Sequence, residues 1–323
     1  MQRPLGQPAR PVLACGEVRT CLLPSFQALE GRAAAQLLRL RADEHVRVSE
    51  RPNLYVLSPE VLTGVDCRLP TSNGVKVRAV GTVAARAALT EGRLLQSTAY
   101  FSAPAVGPAT RRPWGHYLVR PGVVEPLGKL PDQATAAGVL RGAAGGELDL
   151  GMISEALLTR LLRHPLLDRK VPFKSRRTHL RWVAHRISEG DRAALVEFRL
   201  DRDGLRTVRL RLPADTPVAA AAGLCEDLAL HDWLLTTVVH MLDNSRLAAA
   251  DGPAAVLALR PAVDHLLHLW TPHARVHHSL VHLWEALERE PGFTRQWQNL
   301  VQRIRDQLAL QAIPLPHQAL SPR

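Results

Sequence analysis

From Val12 to Phe101, apolar and polar residues exchange at nearly every second position. A period of two puts alternate side chains on opposite faces of an extended chain, so this stretch predicts β-strands. Val75-Lys-Val-Arg-Ala-Val80 is the plainest example, and Val65-Asp-Cys-Arg-Leu69 precedes it. Ser72-Asn73-Gly74 lies between them, and Asn-Gly supplies the positive φ angles of a tight hairpin turn. Thr90-Glu91-Gly92 then leads into a further strand, Arg93 to Phe101. His45 to Val48 and Leu54 to Leu57 predict short strands. A helix is expected from Phe26 to Leu40, with Ser25 as its N-cap.

Residues 102–131 are rich in Pro and Gly and predict an irregular connection. A second break, Gly142-Ala-Ala-Gly145-Gly146, marks the expected domain boundary. Beyond it, Met152 to Arg163 and Ser175 to Ile187 read as helices. Leu195 to Leu200 and Leu205 to Leu212 read as a hairpin around Asp201-Arg-Asp-Gly204. Thr216-Pro217 has the form of an N-cap followed by Pro at the first helical position. Val276, Leu280, Leu283, Trp284 and Leu287 share one helical face, as do Phe293, Trp297, Leu300, Val301, Ile304 and Leu308. Trp residues at that spacing beside Leu belong in a core. The expected architecture is α+β: a β-rich domain with one helix at residues 1–145, then a mainly α-helical domain with one β-hairpin at 146–323.

Composition narrows the class. With 46% hydrophobic and 22% charged residues, the chain has a globular balance. No run of about 18 uncharged apolar residues appears, the length a membrane-spanning helix needs. The polar, Pro-rich opening Met1 to Pro11 lacks the apolar stretch of a secretory leader, so a cytoplasmic location is expected. Cys15, Cys21, Cys67 and Cys225 form no C-x-x-C pair, which fits buried thiols in a reducing compartment.

Charge is unevenly placed. The net charge is +11, yet the C-terminal third is mildly acidic. Arg169, Lys170, Lys174, Arg176, Arg177, Arg181 and Arg186 follow one another without an intervening carboxylate. If 175–187 is a helix, several of these project together, and the hairpin behind them adds Arg199, Arg206, Arg209 and Arg211. Helix followed by hairpin resembles the end of a winged-helix module, in which the helix enters the DNA major groove. The plainer reading is an Arg-rich surface that pairs with the acidic C-terminal bundle or with an acidic partner. Only four of the 41 basic residues are Lys, a bias that fits a GC-rich genome.

Other chemistry is sparse. Gly122-Val-Val-Glu-Pro-Leu-Gly128-Lys129 imitates a phosphate loop, but it has five residues between its glycines and Leu130 where a magnesium-binding hydroxyl belongs. Dinucleotide-binding and nucleophile-elbow signatures are missing. His265, His268, His273, His277, His278 and His282 crowd together, with His278 and His282 at a helical metal-ligand spacing. Ser279 stands where a zinc hydrolase has its catalytic Glu, and a solvated polar helix face gives the same pattern. No cofactor or metal is expected, and the sequence leans away from an enzyme.

Four stretches carry a resemblance: Val12 to Cys21, Ser58 to Asp66, Arg112-Pro-Trp-Gly-His-Tyr117 and Leu224 to Trp233. Through them the chain resembles an uncharacterised actinobacterial protein family, encoded in a small gene cluster beside a variant P-loop protein. The resemblance implies work alongside cluster partners and assigns no site residue. The leading expectation is a non-enzymatic interaction or scaffold component with protein partners. A nucleic-acid-binding or regulatory protein using 169–186 and 195–212 is the alternative, and a metal-dependent enzyme using the His cluster 265–282 is third.

Overall fold

The computed structural model describes residues 11–43, 45–201, 204–247 and 252–312. The polar opening before Pro11 and turn positions 202–203 lie outside them. No described helix is long and apolar enough to cross a membrane. The chain divides into two compact units, residues 1–230 with 271–286, and residues 231–270 with 287–323.

The first unit is built on one sheet. Its strands are β1 (Pro11–Leu22), β2 (Arg47–Ser49), β3 (Tyr55–Leu57), β4 (Val61–Leu69), β5 (Val77–Thr90), β6 (Leu94–Pro104), β7 (Val124–Pro126), β8 (Thr178–Ile187), β9 (Ala194–Leu200) and β10 (Leu205–Pro213). The order is β2-β3-β5-β6-β1-β8-β10-β9, with β4 and β7 also paired to β5. All neighbours are antiparallel except β8 and β10, which run parallel. Strands on both sides of the Gly142–Gly146 break therefore share one sheet, and that break lies inside the first unit.

The helices are α1 (Gly31–Leu37), α2 (Trp114–Leu118), α3 (Asp132–Arg141), α4 (Leu150–Leu162), α5 (Val218–Leu247), α6 (Gly252–His265), α7 (Val281–Arg289) and α8 (Phe293–Ala312). The helix expected over 26–40 is confined to 31–37. Upstream of it, the amides of Leu23 and Leu29 bond the carbonyls of Arg93 and Gly92, at 2.7 and 3.1 Å. The β5–β6 turn thus holds this backbone in a non-helical path. The 102–131 connection carries α2 and β7.

Alternation along β1 defines the two sheet faces. Leu13, Cys15 and Cys21 enter a core with Leu157, Leu158 and Leu161 of α4. Ala14, Gly16, Val18 and Thr20 look the other way. On that second face Gly16 pairs with Trp182 of β8. A Cβ on Gly16 would stand 2.4 Å from the Trp182 indole. Only a residue without a side chain lets the buried ring lie across β1. The first turns of α5 also cover this face: the Gln96 side-chain amide donates to the Glu226 carbonyl at 2.9 Å.

The second unit is helical and contains residues 231–247 of α5, α6 and α8. The Trp270 and Trp297 rings stack at 4.5 Å between centroids, 8° from parallel. Phe293, Trp297, Leu300 and Ile304 are buried along one face of α8, as their spacing predicts.

Candidate functional site

The helix expected over 175–187 is not formed. Residues 178–187 are β8, a strand inside the sheet with β1 on one side and β10 on the other. The basic helix of the winged-helix alternative is a correction on the same ground. Thr178-His-Leu-Arg-Trp-Val-Ala-His-Arg-Ile alternates Leu180, Trp182 and Ala184 with His179, Arg181, Val183 and His185. That is a strand period, and Trp and β-branched residues favour it.

The seven predicted cations consequently separate. Arg169, Lys170, Lys174, Arg176 and Arg177 are exposed on the connection between α4 and β8. The one carboxylate within this connection faces backbone: Asp168 accepts from the amides of Phe26, at 3.1 and 3.2 Å, and of Lys170, at 2.8 Å. The Arg169 amide donates to the Pro24 carbonyl at 3.0 Å, so the N-terminal end of this cationic surface is tied to the folded body. Arg177 reaches Glu155 of α4 at 2.9 Å, and Arg19 takes the other oxygen of that carboxylate.

Arg181 and Arg186 point into the protein from opposite sheet faces. Arg181 Nε donates to Glu17 at 3.0 Å, and its Nη1 donates to the Arg141 carbonyl at 2.9 Å. Gly142 permits this, because a Cβ there would lie 2.7 Å from Arg181 Nη1. Arg19 forms an ion pair with the second oxygen of Glu17 at 3.1 Å. Arg186 Nη1 donates to the Pro213 carbonyl at 3.2 Å. Burial lowers the Arg186 pKa, against a smaller opposing pull from Asp215. The hairpin cations are similarly occupied: Glu197 accepts from Arg199 at 2.5 Å and Arg209 at 3.3 Å, and Arg206 is buried. Arg211 is exposed.

The histidines do not converge. Among the described residues no group of three or more His, Cys, Asp or Glu side chains is placed to hold a metal. His277 bonds Ser279 at 2.8 Å and His282 bonds the Ala193 carbonyl at 2.9 Å.

The structure adds a cleft that the sequence reading missed. It lies wholly within the first unit and encloses about 340 Å3. A second lobe of about 440 Å3 adjoins it, and Arg47, Leu57 and Arg86 line both. Arg86, from the middle of β5, is 8% exposed. It makes a two-bond fork onto Glu226 of α5, 2.8 Å from Nε and 2.8 Å from Nη2. Burial alone would lower the Arg86 pKa, but the Glu226 charge and hydrogen bonds move it above the ordinary guanidinium value. The Arg86 guanidinium stands 5.6 Å from the Tyr100 ring centroid, and the Tyr100 hydroxyl donates to Glu60. Burial raises the Tyr100 pKa and that of Tyr55. Arg275 covers the Tyr55 ring at 4.2 Å and is bonded to the Asn53 side chain. Burial pulls its pKa down, and its Nη1 has no partner among the described residues.

The signal for this cleft stood in the sequence. Arg86 is a lone charge within Val83-Ala-Ala-Arg-Ala-Ala-Leu89, and a buried cation requires a buried anion. Glu226, between Cys225 and Asp227, is that anion. No protein-family profile, curated protein or solved structure matches the chain.

Proposed function

We propose that this protein is a non-enzymatic interaction component that presents its α4–β8 connection to an acidic surface of a protein partner. The supporting observation is the exposed set Arg169, Lys170, Lys174, Arg176 and Arg177, whose local carboxylate Asp168 is engaged by backbone amides. A folded platform carrying five cations within nine residues attracts acidic surfaces and speeds their encounter. The resemblance to a gene-cluster family makes a cluster-encoded P-loop protein the first partner to try.

The experiment compares the wild-type chain with Arg169→Glu/Lys170→Glu/Lys174→Glu in pull-downs with that P-loop protein, before and after nuclease treatment. The expected result is capture by wild type in both conditions, lost in the variant and weakened by salt. Capture that disappears on nuclease treatment points instead to nucleic acid, whose binding releases counterions and falls steeply with salt. Equal capture by the variant refutes the proposal.

A further inference from the structure

Beyond this surface, we propose that the Arg86–Glu226 cleft is a binding site for a small organic anion carrying a phosphate monoester or a carboxylate. Size comes first. A cavity of about 340 Å3 reaches the range of metabolite sites, roughly 300–1,000 Å3, and exceeds the needs of a bare inorganic ion. The room is created by short side chains on α5, where Ala219, Ala220 and Gly223 line the cleft. A Cβ on Gly223 would already stand 3.6 Å from Arg86 Nη2, so any longer residue there projects into the space.

Charge decides the ligand class. Three guanidinium groups, Arg47, Arg86 and Arg275, line this lobe against Glu226 and Asp227. Both carboxylates are engaged. Glu226 has its two oxygens on Arg86, and Asp227 accepts the His273 amide at 2.9 Å. The Arg86–Glu226 pair is a nearly neutral unit that fixes the guanidinium plane. Arg47 and Arg275 then stand against Asp227 alone, which leaves the lining of this lobe with one net positive charge. Planar guanidinium groups match the oxygen spacing of phosphates and carboxylates. Tyr55 and Leu57 supply apolar area for the organic body of the ligand.

Burying an ion pair against solvent costs several kcal/mol per ion. An apolar pair would fill the β5–α5 interface without that cost. The arrangement gains its use when an incoming anion finds a cationic floor already oriented and partly desolvated, where electrostatic interactions are stronger than in water.

The test is calorimetric titration of the full chain with phenyl phosphate and benzoate, with benzyl alcohol as the uncharged control. The expected result is saturable binding of at least one anion and none of the alcohol. Arg47→Glu, at an exposed position, and Gly223→Leu, which fills the cleft, each weaken that binding tenfold or more. Lys170→Glu/Lys174→Glu leaves it unchanged, which separates this site from the partner surface. Preference for phenyl phosphate assigns a phosphate monoester, and preference for benzoate a carboxylate. The proposal is overturned if neither anion binds, if the alcohol binds equally, or if both cleft variants, folded by circular dichroism, bind like wild type.

Discussion

Residues 169–177 and 178–187 both carry cations and no carboxylate, and the fold uses the two segments in opposite ways. On the connection all five cations are exposed, Arg177 while paired with Glu155, and a single carboxylate is occupied by backbone amides. On β8, two cations are drawn into the protein, one onto Glu17 and one onto a carbonyl. The difference lies in neighbours and not in composition. A strand within a sheet must satisfy its cations from adjacent strands or covering helices, whereas a connection can leave its cations exposed at the surface. Cationic residues that are contiguous in sequence thus become an exposed surface in one half and internal supports in the other.

Removing the internal support gives the largest expected effect. Glu17→Ala leaves Arg19 and Arg181 facing each other without their shared carboxylate. Both guanidinium side chains are partly exposed, 26% and 20%, so the loss is placed at about 2–3 kcal/mol, below that of a fully buried pair. The shift of the urea midpoint measures it. Gly16→Val comes next, at roughly 2 kcal/mol, because the added branch overlaps the Trp182 indole and overpacking costs about 1–3 kcal/mol. A midpoint unchanged by this variant would falsify the placement of Trp182 across β1.

A pH scan sharpens the contrast further. His179 and His185 flank Arg181 on β8, and burial is the main cause that lowers both pKa values. Around His179, Glu17 opposes this while Arg19, Arg181 and Arg206 reinforce it; around His185, Asp132 opposes and Arg209 reinforces. Protonation then favours the unfolded chain. Stability should be full above the ordinary histidine pKa of about 6.5 and decline as pH falls below it. His179→Asn/His185→Asn should flatten that decline in thermal melts between pH 7 and 5. The smallest effect belongs to the connection, where Lys170→Glu/Lys174→Glu should move stability by less than about 0.5 kcal/mol while abolishing partner capture.

Much of the fold was legible in the sequence, and the exceptions have physical causes. β4 and β5 pair as a hairpin, but through the longer connection 70–76, and of Asn73-Gly74 only Gly74 takes a positive φ, 74°. The β9–β10 pair, the β6 strand and the apolar stripe of α8 follow their periodicity. Segment 175–187 misled because Arg, Leu and Ala are good helix formers, and tertiary pairing overrode that preference. Nothing local announces that β10 lies parallel to β8, since that neighbour relation is set by the whole sheet. Of the candidate site, the cation cluster was legible but its division was not. Arg181 is internal because Glu17, far away in sequence, is its cross-strand partner. Arg86 was legible in principle, as a charge stranded among alanines.

Arginine labelling of the native protein with phenylglyoxal, read by peptide mass spectrometry, tests the division most directly. Arg169 should react quickly, and Arg181 and Arg186 should stay protected until denaturant unfolds the sheet. Equal labelling of all three in the native state would contradict the account.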